Sequence, residues 1–212
     1  MSAPRKRILF FGHSHVRNLG DVIKSKNLYK NFKINRKDIL VKIKGIGGLK
    51  IKDLVDKKSA KYHEFHRIMV NFVPTTLCLM VGCNDIGKDS SAEEVAALLQ
   101  VVFSILKTRY NLDLIVFTQL LPRLQNKWVD FQLYNTQAEQ VNSDMLEWAQ
   151  ECPSRFYKWL KFKFPKTPIL LKKLKKSLTK DGVHLTQSAY RTIFQALRHI
   201  VILAIKFSHP ST

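Results

Sequence analysis

Acidic residues are scarce in this sequence. It carries 16 Asp and Glu against 36 Lys and Arg, which gives a formal net charge of +20 at pH 7. A field of that sign favours anionic partners such as nucleic acid, an acidic lipid surface or a phosphorylated substrate. The imbalance bears on association and solubility, and it excludes no fold.

Cysteine and long hydrophobic runs are scarce as well. The three cysteines, Cys78, Cys83 and Cys152, are an odd number without disulfide spacing, which indicates a reducing compartment. No run of about 18 apolar residues exists, so we expect no transmembrane helix. The run Ile8–Phe11 is too short for a signal peptide. We therefore expect an intracellular protein, cytoplasmic or nuclear.

Internal repeats and low-complexity linkers are absent, and the length of 212 residues suits one domain. We predict a single domain over residues 1–212, with a core from about residue 7 to residue 206. The hydrophobic fraction of 45% is ordinary for a globular protein.

Apolar runs alternate with helical periods along the chain, which predicts a parallel sheet covered on both faces. The predicted strands are Ile8–Phe11, Ile39–Ile43, Thr76–Val81, Leu112–Leu121 and Arg155–Leu160. The predicted helices are His15–Lys24, a short one in Lys50–Lys57, one that starts at Ser91, Phe131–Gln150 and one capped by Thr186. The buried stripe after Ser91 is Val95, Leu98, Leu99, Val102, Phe103 and Leu106.

Ser14 stands where the first strand ends and a helix begins. Ligands of open parallel sheets bind outside the carboxyl ends of the strands, so a serine there is a candidate nucleophile. The preceding Gly12 allows the backbone to turn sharply. Most serines near a glycine are turn formers or helix caps, and Ser14 alone is open to that interpretation.

The segment Asp181–His184, just before the last helix, can supply a base for that serine. An aspartate three residues ahead of a histidine, with a glycine between them, can reach the Nδ1–H of the imidazole. The Nε2 atom is then left to take the serine proton, as in a Ser-His-Asp triad. The bland alternative is an Asp-Gly turn followed by a capping histidine.

Four short segments resemble the four sequence blocks of the SGNH hydrolases, also called GDSL esterases. These segments are Gly12–Ser14, Gly47–Gly48, Gly82–Asp85 and Asp181–Leu185. They occur in the family's order, and they frame residues 8–206. The larger α/β-hydrolase family does not fit, because its G-x-S-x-G motif needs a glycine where Val16 stands.

The resemblance implies a flavodoxin-like three-layer α/β/α sandwich with a five-stranded parallel sheet in the order 2-1-3-4-5. It also implies that Ser14 is the nucleophile, His184 the general base and then acid, and Asp181 the residue that orients the histidine. The implied oxyanion hole consists of the backbone N–H groups of Ser14 and Gly48 and the side-chain amide of Asn84. No cofactor is implied.

The sequence departs from the family's pattern at His13, where an aspartate usually stands between Gly12 and Ser14. We expect the residue at this position to support the turn by hydrogen bonding, which a histidine can also do. Asp85 fits the third block, and we interpret it as a turn former or a supporting group.

Histidines near the serine do not predict a metal site. His13, His15 and His184 lack a carboxylate or cysteine at a familiar ligand spacing, so we predict no metal there. His63 and His66 are interpreted as a surface pair.

The segment Arg155–Lys180 carries ten basic residues and no acidic one, interleaved with aromatic residues. This composition suits contact with nucleic acid or anionic lipid, and it also suits a solvated face over core aromatics. The candidate contact residues are Lys158, Lys161, Lys163, Lys172, Lys173, Lys175 and Lys176.

Two functions follow from these features. The first is a serine esterase that cleaves a small ester through an acyl-serine intermediate. The second is a non-catalytic or weakly catalytic module of the same fold that binds RNA, DNA or an anionic surface through its basic face. A charge that serves solubility alone is a third interpretation of the same composition.

Overall fold

A five-stranded parallel sheet is the centre of the structure. The computed structural model describes residues 6–25, 32–34, 39–125, 129–151, 155–157 and 163–206. The strands are β1 (Lys6–Gly12), β2 (Ile39–Gly45), β3 (Thr76–Met80), β4 (Leu114–Thr118) and β5 (Arg155–Tyr157). Their order is β2-β1-β3-β4-β5, with parallel pairing throughout. The predicted sheet order is confirmed.

Helices cover both faces of this sheet. They are α1 (Ser14–Ser25), α2 (Ala60–Phe72), α3 (Ala92–Tyr110), α4 (Phe131–Glu151), α5 (Pro168–Ser177) and α6 (Gln187–Lys206). Side chains alternate across a strand, so Leu9 and Phe11 of β1 pack under α2, α3 and α4. Ile8 and Phe10 pack against α1 and α6, joined by one residue of α5. The result is the predicted three-layer sandwich.

The starts of two helices agree with their sequence signals. The Ser91 hydroxyl accepts from the Glu94 N–H while the Glu94 side chain accepts from the Ser91 N–H, a complete capping box. At α6, the Thr186 hydroxyl accepts from the Ala189 N–H at 3.3 Å. The α3 stripe is buried as predicted except at Leu98, which is partly buried.

Two predicted elements are shorter in the structure. β4 ends at Thr118 rather than Leu121, because the side-chain amide of Asn142 bonds both the N–H and the carbonyl of Leu120, at 2.7 and 3.1 Å. The predicted helix in Lys50–Lys57 is a 3₁₀ turn over Lys52–Leu54.

Two helices were not predicted from the sequence. α2 is capped by Ser59 and buries Tyr62, Phe65, Ile68, Met69 and Phe72. α5 starts after the capping residue Thr167 and buries only Leu174. β5 begins where predicted, and residues 158–162 of the predicted strand lie outside the described part of the chain.

Cys78 and Cys83 are buried free thiols, while Cys152 lies outside the described residues. Of the helices that the structure describes, none combines the length and the apolar character needed to cross a membrane. The assignment of residues 1–212 to one domain stays a prediction.

Candidate active site

The turn after β1 holds Ser14 at the carboxyl edge of the sheet. The N–H of His13 donates to the Met80 carbonyl of β3 at 3.2 Å, and Ser14 is the first residue of α1. A Cβ on Gly12 would overlap that same carbonyl oxygen and lie 2.8 Å from Cγ2 of Val16. Only glycine lets β1 approach β3 this closely, so Gly12 determines where Ser14 sits.

Ser14, His184 and Asp181 form one chain of hydrogen bonds. The Oγ of Ser14 lies 3.0 Å from Nε2 of His184. The Nδ1 of the same imidazole lies 2.6 Å from Oδ2 of Asp181. The structure therefore brings together the three side chains that the sequence nominated from positions 170 residues apart.

The second carboxylate oxygen of Asp181 organises the loop around it. It accepts from the Thr179 hydroxyl at 2.6 Å and from the N–H groups of Val183 and His184, both at 2.9 Å. Partial burial acts to raise the pKa of Asp181, but the hydrogen bonds from Thr179, His184 and Val183 hold it well below its ordinary value. The carboxylate is therefore ionised, and it favours the His184 tautomer that carries its proton on Nδ1.

The loop that carries this pair is closed at its base and tied to a neighbour. The Thr179 N–H donates to the His184 carbonyl at 2.7 Å, and the Thr186 N–H donates to the Ser177 carbonyl at 2.9 Å. The carbonyl of Gly182 accepts from the N–H of Leu124, in the segment after β4, at 2.8 Å. These bonds fix the imidazole with respect to the sheet.

Gly48 and Asn84 follow β2 and β3, so both lie at the same edge of the sheet as Ser14. Gly48 has φ +63°, a conformation that favours glycine, and its carbonyl accepts from Nζ of Lys61 at 2.7 Å. The Nδ2 of Asn84 donates to the Leu49 carbonyl at 3.0 Å. An amide nitrogen carries two N–H groups, so one remains beyond that bond.

Arg123 is the residue of this site that sequence reasoning missed. It lies on the segment after β4, is only 7% exposed, and donates from Nη2 to Oδ1 of Asn84 at 3.3 Å. The signal that could have found it was position, because it follows a strand that ends at the same edge as β1 and β3.

His13 and His15 are both buried beside the nucleophile turn. The Nδ1 of His13 lies 3.4 Å from the N–H of His15 and accepts from it, which is turn support of the kind expected at this position. Burial, reinforced by the positive charge of Arg123, lowers the pKa of His13 to about 3. Burial likewise lowers the pKa of His15, whose Nδ1 lies 3.2 Å from the Tyr190 hydroxyl. Both rings are neutral at pH 7.

No cluster of three potential metal-ligating side chains occurs within the residues that the structure describes. Of the two histidines interpreted as a surface pair, His63 is exposed. His66 is half-buried, stacks on the Tyr62 ring and lies 2.8 Å from the Tyr110 hydroxyl. Its ring serves packing between α2 and α3.

Asp85 supports the backbone beside Gly48. Its carboxylate oxygens accept from the N–H of Ile51 at 3.0 and 3.2 Å. Burial raises the pKa of Asp85 to about 6, against the lowering effect of that hydrogen bond. This agrees with its interpretation as a supporting group.

The basic segment is described in part. Lys158 and Lys161 lie outside the described residues. The remaining candidates are exposed, one ahead of α5 and four on it: Lys163, Lys172, Lys173, Lys175 and Lys176. α5 leads directly into the loop that carries Asp181 and His184. Contact of these lysines with an anionic partner stays a prediction.

The structure is a three-layer sandwich around a parallel sheet, with a hydrogen-bonded serine, histidine and aspartate at the carboxyl edge of the sheet. This is the arrangement of a serine hydrolase. The chain belongs to the GDSL-like Lipase/Acylhydrolase family, whose model matches residues 8–197. The predicted resemblance is thereby confirmed, and the protein is a hydrolase that acts on esters.

Solved structures show the same fold at low sequence identity. A GDSL-like lipase from Bacteroides thetaiotaomicron has a TM-score of 0.65 and 15% identity, over 96% of this chain and 93% of that chain. A lipase/acylhydrolase from Enterococcus faecalis has a TM-score of 0.62 and 12% identity, over 92% and 95%. An acetyl esterase mutant with an acetate ion has a TM-score of 0.62 and 15% identity, over 96% and 100%. No curated protein matches the chain in sequence.

Proposed function

We propose that the protein hydrolyses a small carboxylic ester through an acyl-enzyme formed on Ser14. The observation that carries the proposal is the hydrogen-bond chain from Asp181 through His184 to Ser14, with links of 2.6 and 3.0 Å. Both distances lie within the reach that proton transfer requires.

In the first half of the reaction, Oγ of Ser14 attacks the ester carbonyl carbon while Nε2 of His184 takes the hydroxyl proton. The carbonyl oxygen becomes an oxyanion on a tetrahedral carbon. Collapse of this intermediate breaks the bond to the alcohol oxygen, which leaves with the proton from His184. Asp181 stays ionised and stabilises the imidazolium that forms between the two proton transfers.

In the second half, His184 takes a proton from water, whose oxygen attacks the acyl carbon on Ser14. The second tetrahedral intermediate collapses, the carboxylic acid leaves, and the proton returns to the serine oxygen. The same base thus serves both halves of the reaction.

The negative charge of each intermediate needs preorganised donors. In this proposal the backbone N–H groups of Ser14 and Gly48 and the second N–H of Asn84 supply them. Each such donor is worth roughly 10²–10³-fold in rate. The alternative of a module that binds RNA or DNA without catalysis gains no support from the family match, which is to lipases and acylhydrolases.

The test is hydrolysis of p-nitrophenyl acetate and butyrate by purified protein and by Ser14→Ala. We expect turnover by the wild type and a loss of at least about 10³-fold in the variant, because the nucleophile is gone. Ser25→Ala, at the exposed end of the same helix, is the matched control and should keep full activity.

A fluorophosphonate probe tests the activation of the serine without any assumption about the substrate. We expect one covalent adduct, located at Ser14 by peptide mass spectrometry, and none in Ser14→Ala. Equal esterase rates for Ser14→Ala and the wild type, together with an unlabelled Ser14, would exclude this mechanism.

A further inference from the structure

The guanidinium of Arg123 is buried without a carboxylate partner among the described residues. Arg123 is 7% exposed, and the ion pairs among the described residues involve other side chains. Its Nε is buried and has no hydrogen-bond partner there either. Burying a charge without an opposite charge costs folding free energy, so a buried and unpaired guanidinium points to a function that offsets this cost.

α4 holds this guanidinium rigidly in place. The side-chain amide of Asn135 holds the Arg123 backbone, since it accepts from the backbone N–H at 3.0 Å and donates to the backbone carbonyl at 2.7 Å. The Tyr134 ring lies under the guanidinium, 4.9 Å from its centre, and the Tyr134 hydroxyl donates to the Leu121 carbonyl at 3.1 Å. The backbone and the side-chain end of Arg123 are therefore both fixed.

The fixed guanidinium selects one orientation of the Asn84 amide. Arg123 donates to Oδ1 at 3.3 Å, and Nδ2 donates to the Leu49 carbonyl at 3.0 Å. A flipped amide would turn its N–H groups toward the guanidinium donors and its oxygen toward a carbonyl, so both contacts would become repulsive. The observed orientation keeps the second N–H of Asn84 available to a substrate oxygen.

The charge of Arg123 also reaches the nucleophile turn. After burial, it is among the charges that lower the pKa values of His13 and His15. A positive field at that turn stabilises a negative oxygen bonded to the carbon that Ser14 attacks. A neutral donor in the place of Arg123 could orient Asn84 but would not supply this field.

We infer that Arg123 is a positioning residue of the oxyanion hole, which fixes the donor orientation of the Asn84 amide and places an uncompensated positive charge beside the oxyanion. The inference rests on the proposed function and adds to it. Arg123 acts through Asn84 and through its field, without forming a bond to the substrate.

The first test compares Arg123→Met and Arg123→Lys with the wild type on p-nitrophenyl acetate. We expect Arg123→Met to lower kcat by roughly 10- to 100-fold with KM changed by less than about twofold, because the lost stabilisation belongs to the transition state. Arg123→Lys keeps the charge and a donor group, so it should recover part of kcat. An Arg123→Met variant with unchanged kcat, or one that changes KM alone, overturns the inference.

The second test is a double-mutant cycle with Asn84→Ala. Because Arg123 acts partly through Asn84 and partly through its field, Arg123→Met should lower kcat at least about threefold less in the Asn84→Ala background than in the wild type. Losses that multiply would show that Arg123 acts independently of Asn84, and this would overturn the positioning role.

A control at an exposed arginine, Arg109, tests whether loss of an arginine–tyrosine contact by itself lowers kcat. Arg109 also lies over a tyrosine ring, 5.7 Å from the centre of Tyr62, and its Nη1 lies 3.5 Å from the hydroxyl of that residue. Arg109→Met should therefore change the melting temperature without changing kcat.

An NMR measurement reads the orientation without catalysis and so separates the two proposals. The side-chain amide resonances of Asn84 should shift and broaden in Arg123→Met, because two orientations become populated. Unchanged Asn84 resonances overturn the positioning role even when Ser14 reacts with a fluorophosphonate. An unlabelled Ser14 with shifted Asn84 resonances instead counts against the proposed function and supports the positioning role.

Discussion

The two carboxylate oxygens of Asp181 do different things. One accepts the three donors that shape the loop, and the other faces Nδ1 of His184. A substitution that keeps the first oxygen and replaces the second therefore separates loop structure from histidine orientation. Asparagine is such a substitution, because its amide oxygen can still accept from the loop donors.

We predict that Asp181→Asn folds normally and loses roughly 10⁴-fold in kcat. The amide N–H would face Nδ1 of His184 and favour the tautomer with its proton on Nε2, which cannot accept from Ser14. The measurements are kcat on p-nitrophenyl acetate and the melting temperature.

The control for this change is Asp56→Asn. The Asp56 carboxylate accepts from an N–H two residues on, at 2.9 Å, as Asp181 does from Val183, but it lies on an exposed turn away from the site. It should leave kcat unchanged. An Asp181→Asn variant with wild-type kcat would remove the orienting role from the proposal.

At the residue scale, site residues could be predicted from the sequence where the side chains that contact each other are also close in the sequence. Asp181 and His184 stand three residues apart and make their contacts within one loop, so their spacing alone suggested the pair. Arg123 could not be found in that way. Its meaning comes from the meeting of two loops and a helix that are distant in the chain, and a buried arginine leaves no periodic signal.

At the scale of elements, the limits of β4 and of two helices show what pattern reading leaves out. The apolar run Leu112–Leu121 looks like one strand, but a side chain of α4 takes over the backbone bonds of Leu120. The buried residues of α2 do recur in the sequence at helical spacing, and this pattern could have predicted the helix. α5 buries only Leu174, so this segment has no stripe of buried residues from which a helix could be predicted.

α5 is also where the excess charge is most concentrated beside the site. Four of its lysines are exposed, and Ile169 at its start is 68% exposed. The Ser177 carbonyl at its end accepts from Thr186, across the base of the loop that carries His184. A surface that binds α5 would therefore lie close to the entrance of the site.

We predict that α5 binds anionic lipid, and that replacing its lysines weakens this binding. The variant is Lys172→Gln, Lys173→Gln, Lys175→Gln and Lys176→Gln combined. At about 1 kcal/mol per lysine, affinity for phosphatidylserine vesicles should fall by roughly 10²–10³-fold at low salt. Sedimentation with vesicles of phosphatidylserine and of phosphatidylcholine measures the effect.

The matched control removes the same charge from another exposed region. It combines Lys50→Gln, Lys52→Gln, Lys57→Gln and Lys58→Gln. This control should bind phosphatidylserine vesicles nearly as well as the wild type. If both variants lose binding equally, net charge rather than α5 is responsible, and added RNA that competes with the vesicles would point to a different anionic partner.

At the scale of the whole molecule, the layering could be predicted because β1, β3 and β4 alternate their side chains between two apolar clusters. The protonation states of the buried histidines could not be predicted from the sequence. His13 and His15 flank the serine in a sequence that also suits a solvent-exposed turn, and only packing by Tyr190 and the sheet makes them buried and neutral.

This buried state predicts how stability depends on pH. In the unfolded chain both histidines regain a pKa near 6.5, whereas in the folded protein the pKa of His13 is about 3 and that of His15 is also low. Below pH 6.5 the unfolded state therefore binds protons that the folded state does not. The free energy of unfolding should fall as the pH falls, by up to about 1.4 kcal/mol per pH unit for each histidine.

Asp85 acts in the opposite direction over a narrower range. Its pKa is raised from 3.8 to about 6 in the folded protein, so between those values the folded state binds the additional proton and gains stability as the pH falls. Two histidines outweigh one aspartate, and the net change below pH 6 should still be a loss of stability.

Urea unfolding at pH 7.5, 6.0 and 5.0 measures this dependence in the wild type, in His13→Asn and in Asp85→Asn. Removing His13 should make the decline between pH 6.0 and 5.0 shallower, whereas removing the Asp85 carboxylate should make it steeper, because the opposing contribution is lost. A wild-type free energy of unfolding that is constant or rises from pH 7.5 to 5.0 would mean that the two imidazoles take up protons in the folded protein. His13 and His15 would then carry positive charge beside Ser14 in the folded protein at pH 5.0.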